Sequence, residues 1–207
     1  PGVLSMAITL TCPSCGNQIT QVTRSSQILV CPACNTTSFL QNGKLEDVGK
    51  SAILTDTPSI FQIGRTFKHK DWRFSPVGRV RYDYGDGWWD EWFVRSDNGK
   101  EGWVSVDEGE IAIETLVQDK LNVPAYETLK IGSVLNINRI RMTVIEMNTA
   151  TMIGAQGELP FKAIPGEKYD YIDLLGPKRA SFTIEYQTGG IECYRGVWID
   201  PFEISEV

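Results

Sequence analysis

The sequence predicts a mainly β protein, with an N-terminal zinc ribbon followed by two tandem, pseudo-repeated small β-barrel or sandwich units. Three observations predict it. Cys12-Pro13-Ser14-Cys15 and Cys31-Pro32-Ala33-Cys34 are two Cys-x-x-Cys turns fifteen residues apart. From Ile53 to Val207, Val, Ile, Thr, Tyr, Phe and Trp cluster in short runs broken by Gly, Asn and Pro turns. A stretch beginning at Phe61 recurs at Leu129, an offset of 68.

The two turns read as one structural metal site. A Cys-x-x-Cys turn points two thiolates at one centre, and a second turn folded on the first completes four sulfurs, each about 2.3 Å from a tetrahedral Zn²⁺. Cys12, Cys15, Cys31 and Cys34 are the predicted ligands of one Zn²⁺ per chain. Four thiolates leave no open position, so the ion is expected to hold structure and do no chemistry. Pro13 and Pro32 fix φ after the first ligand of each pair, and Gly16 and Asn35 tolerate the left-handed conformation that closes such a turn. Redox-active or disulfide-bonded pairs are the rival reading, but the βαβ pattern of a thioredoxin-like motif is missing. The fifth cysteine, in Ile191-Glu192-Cys193-Tyr194, alternates with polar neighbours and reads as a buried small hydrophobe.

Residues 1–5 precede Met6 and read as a cloning remnant. Residues 6–45 make the ribbon. Ala7 to Thr11 leads into the first turn, Ile19 to Val22 and Gln27 to Val30 are expected to form a hairpin, and Thr37 to Gln41 returns. These strands can be short because the ion stabilises so small a unit. Asn42-Gly43 is a turn signal, and Lys44 to Ser51 reads as a polar connector.

Residues 46–120 then form the first β module and 121–207 the second, with a core separate from that of the ribbon. Arg79-Val80-Arg81-Tyr82 and Trp103-Val104-Ser105-Val106 alternate with period two, and Glu108 to Leu121 reads as a strand at Ile111-Ala112-Ile113 in preference to a helix. The repeat aligns Phe61-Gln62-Ile63-Gly64-Arg65-Thr66-Phe67 with Leu129-Lys130-Ile131-Gly132-Ser133-Val134-Leu135. Trp72-Arg73-Phe74-Ser75 aligns with Ile140-Arg141-Met142-Thr143 at the same offset. The two halves are expected to share one core or to pack edge to edge.

Apolar residues make up 42 % of the 207, enough to bury a real core. The formal charge of −6 is uneven: residues 1–50 carry +1 and the remainder −7. That balance argues against a broad phosphate-binding face, and the ribbon holds only Arg24 and Lys44, so nucleic acid is not an expected partner. No run reaches the roughly 18 apolar residues that cross a bilayer, and no secretory signal opens the chain. No membrane insertion and a cytoplasmic location are the expectations.

The most unusual stretch is Tyr82-Asp83-Tyr84-Gly85-Asp86-Gly87-Trp88-Trp89-Asp90-Glu91-Trp92-Phe93. Aromatic rings beside carboxylates can receive sugars, bases, prolines or a small cation, and Asp86, Trp89, Asp90 and Glu91 are the candidate ligand or partner contacts. In the competing reading Trp88, Trp92 and Trp103 turn inward as core, and Trp89, on the opposite face, is the ring left exposed. Asp83, Asp86, Asp90 and Glu91 could serve a glycosidase or a hard cation, but acids in Gly-rich turns are usually solvated and the calcium-loop spacing is not met. The single histidine, in Lys68-His69-Lys70-Asp71, reads as an exposed hairpin tip, and no nucleophile elbow, phosphate loop or dinucleotide fingerprint is present. No enzyme is expected.

Gly157-Glu158-Leu159-Pro160-Phe161, Gly166-Glu167-Lys168-Tyr169-Asp170-Tyr171, Phe182-Thr183-Ile184-Glu185 and Gly196-Val197-Trp198 resemble the bacterial family known only as domain of unknown function 4178. Ile63-Gly64, Trp88-Trp89-Asp90-Glu91-Trp92 and Gly102-Trp103-Val104 look like a second copy, so the resemblance covers about residues 55–207. In that family an N-terminal Cys-x-x-Cys ribbon is a common companion and no catalytic residues are established. Members tend to be encoded beside aminopropyltransferase-like proteins and small membrane or envelope-stress proteins, which implies an accessory role. The expected function is a non-catalytic binding or adaptor module with a protein partner, in a polyamine-linked or envelope-stress system. The alternative is a β domain that binds or acts on a small polyamine-like cation through the Asp86 to Trp92 loop.

Overall fold

The computed structural model describes residues 7–50, 54, 58–119 and 121–207, which form antiparallel strands and three short 3-10 turns. In the ribbon, β1 (Ile8–Thr11) pairs with β2 (Gln18–Gln21) across the first cysteine turn, and β3 (Ile28–Val30) with β4 (Thr36–Gln41) across the second. The hairpin expected between the second and third strands does not form, because each Cys-x-x-Cys turn itself reverses the chain. Asn42 and Gly43, at φ 50° and 74°, reverse it once more. The stretch read as a connector is therefore a strand, β5 (Lys44–Lys50), paired with β4. Residues 1–6, Ser51 and Ile53, on which earlier expectations fell, lie outside the described residues.

Each half of the body opens with a hairpin and continues as a meander. In the first, β6 (Phe67–His69) turns into β7 (Trp72–Asp83), followed by β8 (Trp88–Ser96), β9 (Glu101–Asp107) and β10 (Glu110–Leu116), the last a strand as its sequence suggested. In the second, β11 (Val134–Ile137) turns into β12 (Ile140–Leu159), followed by β13 (Lys168–Leu175), β14 (Ala180–Gln187) and β15 (Gly190–Ile199). A last strand, β16 (Ile204–Glu206), returns to β6. The opening hairpins repeat in backbone detail. Gly64 and Gly132 sit at φ 81° and 86°, their amides donate to the carbonyls of Pro76 and Val144, and Lys70 and Asn138 take φ 53° and 47°.

In place of two small barrel or sandwich units, sharing a core or packed edge to edge, the two halves form one ring. Strand β10 pairs with β15 and β7 pairs with β12, so the two four-stranded meanders close on each other as an eight-stranded antiparallel barrel. Closure satisfies the edges that each meander alone would leave open.

One strand makes most of the joins. Along β12, Thr143 to Thr151 pairs with β13, Thr151 to Gly157 with β7, and Glu158 and Leu159 with β3 of the ribbon. The tightest crossing sets Gly157 against Gly78. A Cβ on Gly78 would run into the carbonyl of Glu158, and Gly157 sits at φ 71°, so both places need glycine.

Alternation along these strands sends many of the aliphatic side chains outward. On the first half Phe74, Trp92, Val94, Val104 and Ile111 pack beneath Phe61 and Phe67. On the second, Val144, Ile172, Leu174, Phe182 and Ile184 pack beneath apolar residues between Val117 and Ile137, and Cys193 is buried there as its pattern suggested. The inner cluster holds Val80, Tyr82, Trp89, Phe93, Trp103 and Met152 together with Ile28 and Val30 of the ribbon. Head and barrel thus share packing, contrary to the separate cores expected, because β3 continues the sheet of β12. No helix among the described residues is long and apolar enough to cross a membrane.

Candidate functional site

The four cysteines converge. Cys12 Sγ lies 3.7 Å from Cys34 Sγ and Cys15 Sγ 3.7 Å from Cys31 Sγ, and all four sulfurs lie within 4.8 Å of one another. A tetrahedron with metal–sulfur bonds of about 2.3 Å has edges of roughly 3.8 Å. A disulfide would bring two sulfurs to about 2.05 Å, and all five cysteines are free thiols. The two turns are built alike: the amides of Gly16 and Asn35 donate to the carbonyls of Cys12 and Cys31, and Gly16 and Asn35 take φ 76° and 58°. The donor set and its spacing fit a tetrahedral metal ion held by Cys12, Cys15, Cys31 and Cys34.

A second contact ties this head to the barrel. The Glu158 carboxylate, on β12, accepts bonds from the amides of Val22 and Thr23 at 2.6 and 3.0 Å and from the hydroxyls of Thr23 and Ser26 at 2.9 and 2.6 Å. Hydrogen bonds to a buried charge are the strong ones, about 1.5–3 kcal/mol each. The loop between β2 and β3 is therefore fixed by the strand that closes the ring.

The structure does not gather Asp86, Trp89, Asp90 and Glu91 into one surface. Asp86 is exposed in the turn between β7 and β8. Asp90 faces outward from the barrel and is buried, holding Arg79 at 2.5 Å and Arg81 at 2.9 Å. Trp89, expected to be exposed, is 8 % exposed, because its face of the strand is the inside of the ring. Trp88, expected inward, is 41 % exposed and lies under the Arg81 guanidinium at 3.6 Å. Trp92 is buried as expected, but on the outer face, and Trp103 is buried on the inner one. His69 is likewise not an exposed tip: it is buried, 3.0 Å from the Glu203 carboxylate, and its hydrogen bond pulls the pKa of Glu203 down.

Glu91 points into the lumen, where the Trp89 indole N–H donates to it at 2.9 Å. It has company that the sequence reading missed. A cavity of about 340 Å³ is lined by Glu91, Glu114, Glu185 and Glu192 among the rings of Tyr82, Trp103, Tyr169 and Tyr194. A smaller one of about 120 Å³ shares Glu91, Glu114, Tyr169, Thr183 and Glu185 and adds Asp107, Glu146 and Asp173. Gly196 makes room for this, since a Cβ there would strike the Glu114 side chain. Loss of water on burial is the largest influence on these acids. It raises Glu114 to about 7, Asp173 to about 7, Glu185 to about 8 and Asp107 to about 6, and lifts Glu91 well above the usual carboxylate range.

The signal that could have found these residues is an acid next to a buried or half-buried aliphatic in an alternating strand. Glu114 follows Ile113, Asp173 precedes Leu174, and Glu185 follows Ile184. An eight-stranded ring is just wide enough to fill with side chains or to hold one small ligand, and this one is not filled: it leaves the two cavities.

No curated protein and no solved structure matches the chain. The model of the family described as Domain of unknown function (DUF4178) matches residues 62–201 in a single span that takes in both halves of the ring. That single span replaces the expectation of two copies of the domain, one in each half. The match covers more than half of the sequence, and the chain belongs to the DUF4178 family.

Proposed function

We propose that the protein is a non-catalytic binding module: a barrel that holds a small molecule in its lumen, joined to a head that a structural Zn²⁺ keeps folded. The observation that carries this reading is the 340 Å³ cavity inside the closed ring, walled by five aromatic rings and five carboxyl groups, with Lys162 and Lys168 exposed at its rim. Binding sites commonly combine apolar walls with a few placed polar groups, and eight strands allow such a space. Zinc is favoured for the head because four thiolates at tetrahedral spacing leave it no open position and suit its preference for sulfur.

Native mass spectrometry of the full chain against a panel of amines, amino acids, nucleosides and sugars tests the module. A one-to-one adduct that is lost when Thr183→Phe fills the lumen supports it. Adducts that survive that substitution, or none at all, count against it.

An adaptor role with a protein partner is a second reading, favoured by one surface. Strand β16 ends the sheet with an edge that is free among the described residues, and Phe202 beside it is 96 % exposed. An edge strand with a neighbouring aromatic suits addition of a partner strand. Crosslinking through a photoreactive residue at position 202 tests it.

A further inference from the structure

We infer that the ligand of the lumen is an elongated organic cation with ammonium groups near both ends, the class of the α,ω-diaminoalkanes. This rests on reading the barrel as a ligand-binding module and goes on to say what kind of ligand it takes.

Charge comes first. Acids face the lumen from seven of the eight strands: Glu91 on β8, Asp107 on β9, Glu110 and Glu114 on β10, Glu146 on β12, Asp173 on β13, Glu185 on β14 and Glu192 on β15. The eighth, β7, contributes the neutral phenol of Tyr82. Lys162 and Lys168 line only the larger cavity, both exposed at its rim beside Glu167, and no lysine or arginine lines the smaller one. The donors that reach the acids are neutral. Glu114, 7 % exposed, receives the hydroxyl of Ser181 on Oε1, and Asp173 that of Thr183; Glu185 receives the Gln187 amide, and Glu192 the Tyr194 hydroxyl. In the smaller cavity Asp107 Oδ1 is buried without a hydrogen-bond partner. A buried carboxyl group with no base to pair with calls for a donor, and a cation is the donor it favours most.

Shape then excludes a compact ion. Among the described residues, the cysteine centre is the only group of three or more His, Cys, Asp or Glu whose ligand atoms lie within 4.8 Å of one another. The lumen acids are too far apart to close around Ca²⁺ or Mg²⁺, whose oxygen ligands crowd to about 2.0–2.6 Å. Their charge is spread along the two cavities, which share five lining residues and so lie side by side in the lumen. A cation that matches them carries its charge at separated points. The rings of Tyr82, Trp103, Tyr169 and Tyr194 between those points offer an apolar wall to methylene groups and π faces to ammonium groups.

Protons follow from the same geometry. Burial holds Glu114, Asp173 and Glu185 near pKa 7 to 8, so in the empty barrel they are largely protonated below neutrality. A dication that ionises them displaces those protons to solvent, and binding tightens as pH rises from 6 toward 8.5.

Titration calorimetry on the full chain tests this with 1,4-diaminobutane, spermidine, butylamine, 1,4-butanediol, succinate and Mg²⁺, at pH 6.5 and 8.0 and in two buffers of different ionisation enthalpy. The expected result is binding of the two polyamines, at least tenfold weaker binding of butylamine, and no heat from the diol, succinate or Mg²⁺. Proton release should show as a buffer-dependent enthalpy. Glu114→Gln and Glu185→Gln should each weaken the diamine at least tenfold; both keep the shape and remove a costly charge, so they are expected to fold, which a thermal melt verifies. Absence of polyamine binding at millimolar concentration, or equal affinity in the two Gln variants, overturns the inference. A neutral or anionic compound from the mass-spectrometry panel that Thr183→Phe excludes would overturn the ligand class while leaving the binding module intact. If no compound of any charge enters the lumen, both fall together.

Discussion

The outer and inner faces of the same eight strands follow opposite rules. Outside, Phe74, Val94, Val104, Val144, Ile172, Leu174 and Ile184 are sealed beneath covering segments and form two dry cores. Inside, rings of Tyr and Trp alternate with carboxyl groups, and among the described residues the only bases lining the cavities are Lys162 and Lys168 at the rim of the larger one. In most small barrels the inside is the core. Here two further cores lie on the outer faces, so the inner cluster does not have to fill the lumen and leaves space lined by polar groups. The teaching is that period-two alternation shows that a strand has two faces without showing which one is dry.

The comparison can be broken most severely at the head. Cys12→Ser or Cys31→Ser should abolish metal in elemental analysis and unfold the ribbon, since a structural zinc site contributes on the order of 10 kcal/mol to its small domain. Because Ile28 and Val30 belong to the inner cluster and Glu158 clasps the loop before them, the barrel should also lose stability. Hydrogen exchange of β12 measures this. Unchanged protection there would mean that head and barrel are independent after all.

Next come the outer cores. Phe74→Ala should cost about 3–5 kcal/mol and Ile172→Ala about 2–5 kcal/mol in urea unfolding, the range for large residues cut from a tight core. Asp90→Ala, which leaves Arg79 and Arg81 without their shared carboxylate, should cost about 3–5 kcal/mol.

The inner face should respond with the opposite sign. Its acids have folded pKa values of about 7 to 8 against about 4 in the unfolded chain. The stability they contribute is fully present below the unfolded value and is lost as pH rises through the folded one. The melting temperature of the empty protein should therefore fall between about pH 4 and 8 and level off above, and Glu114→Gln or Glu185→Gln should flatten that fall and raise stability at pH 8. A melting temperature that climbs over this window would contradict the picture. The smallest effect belongs to Trp88→Ala, a ring on the rim held by Arg81, at about 1 kcal/mol or less.

What could be read in advance follows from how local each feature is. The cysteine centre was legible because a Cys-x-x-Cys turn fixes two ligands within four residues, and the turn residues Gly16 and Asn35 take the φ their types allow. The opening hairpins were legible because Gly64 and Gly132 repeat a backbone turn. Ring closure was not, since the pairings of β7 with β12 and β10 with β15 join residues about 70 to 90 apart in the chain. The faces of Trp88 and Trp89 were assigned the wrong way round for the same reason: only closure makes the Trp89 side an inside. Glu114 and Glu185 stand at the polar places of alternating strands, and only closure of the ring makes that side a lumen.

The most direct measurement is a pH titration of the side-chain carboxyl carbons by NMR on the full-length, metal-loaded protein. The account predicts a group of at least three Glu and Asp signals that titrate between about pH 6 and 8, that disappear from this window one by one in Glu114→Gln and Glu185→Gln, and that move to lower pH when 1,4-diaminobutane is added. If every carboxyl group titrates between about 3.5 and 4.5, as in water, the inner face is solvated and the contrast between the two faces is wrong.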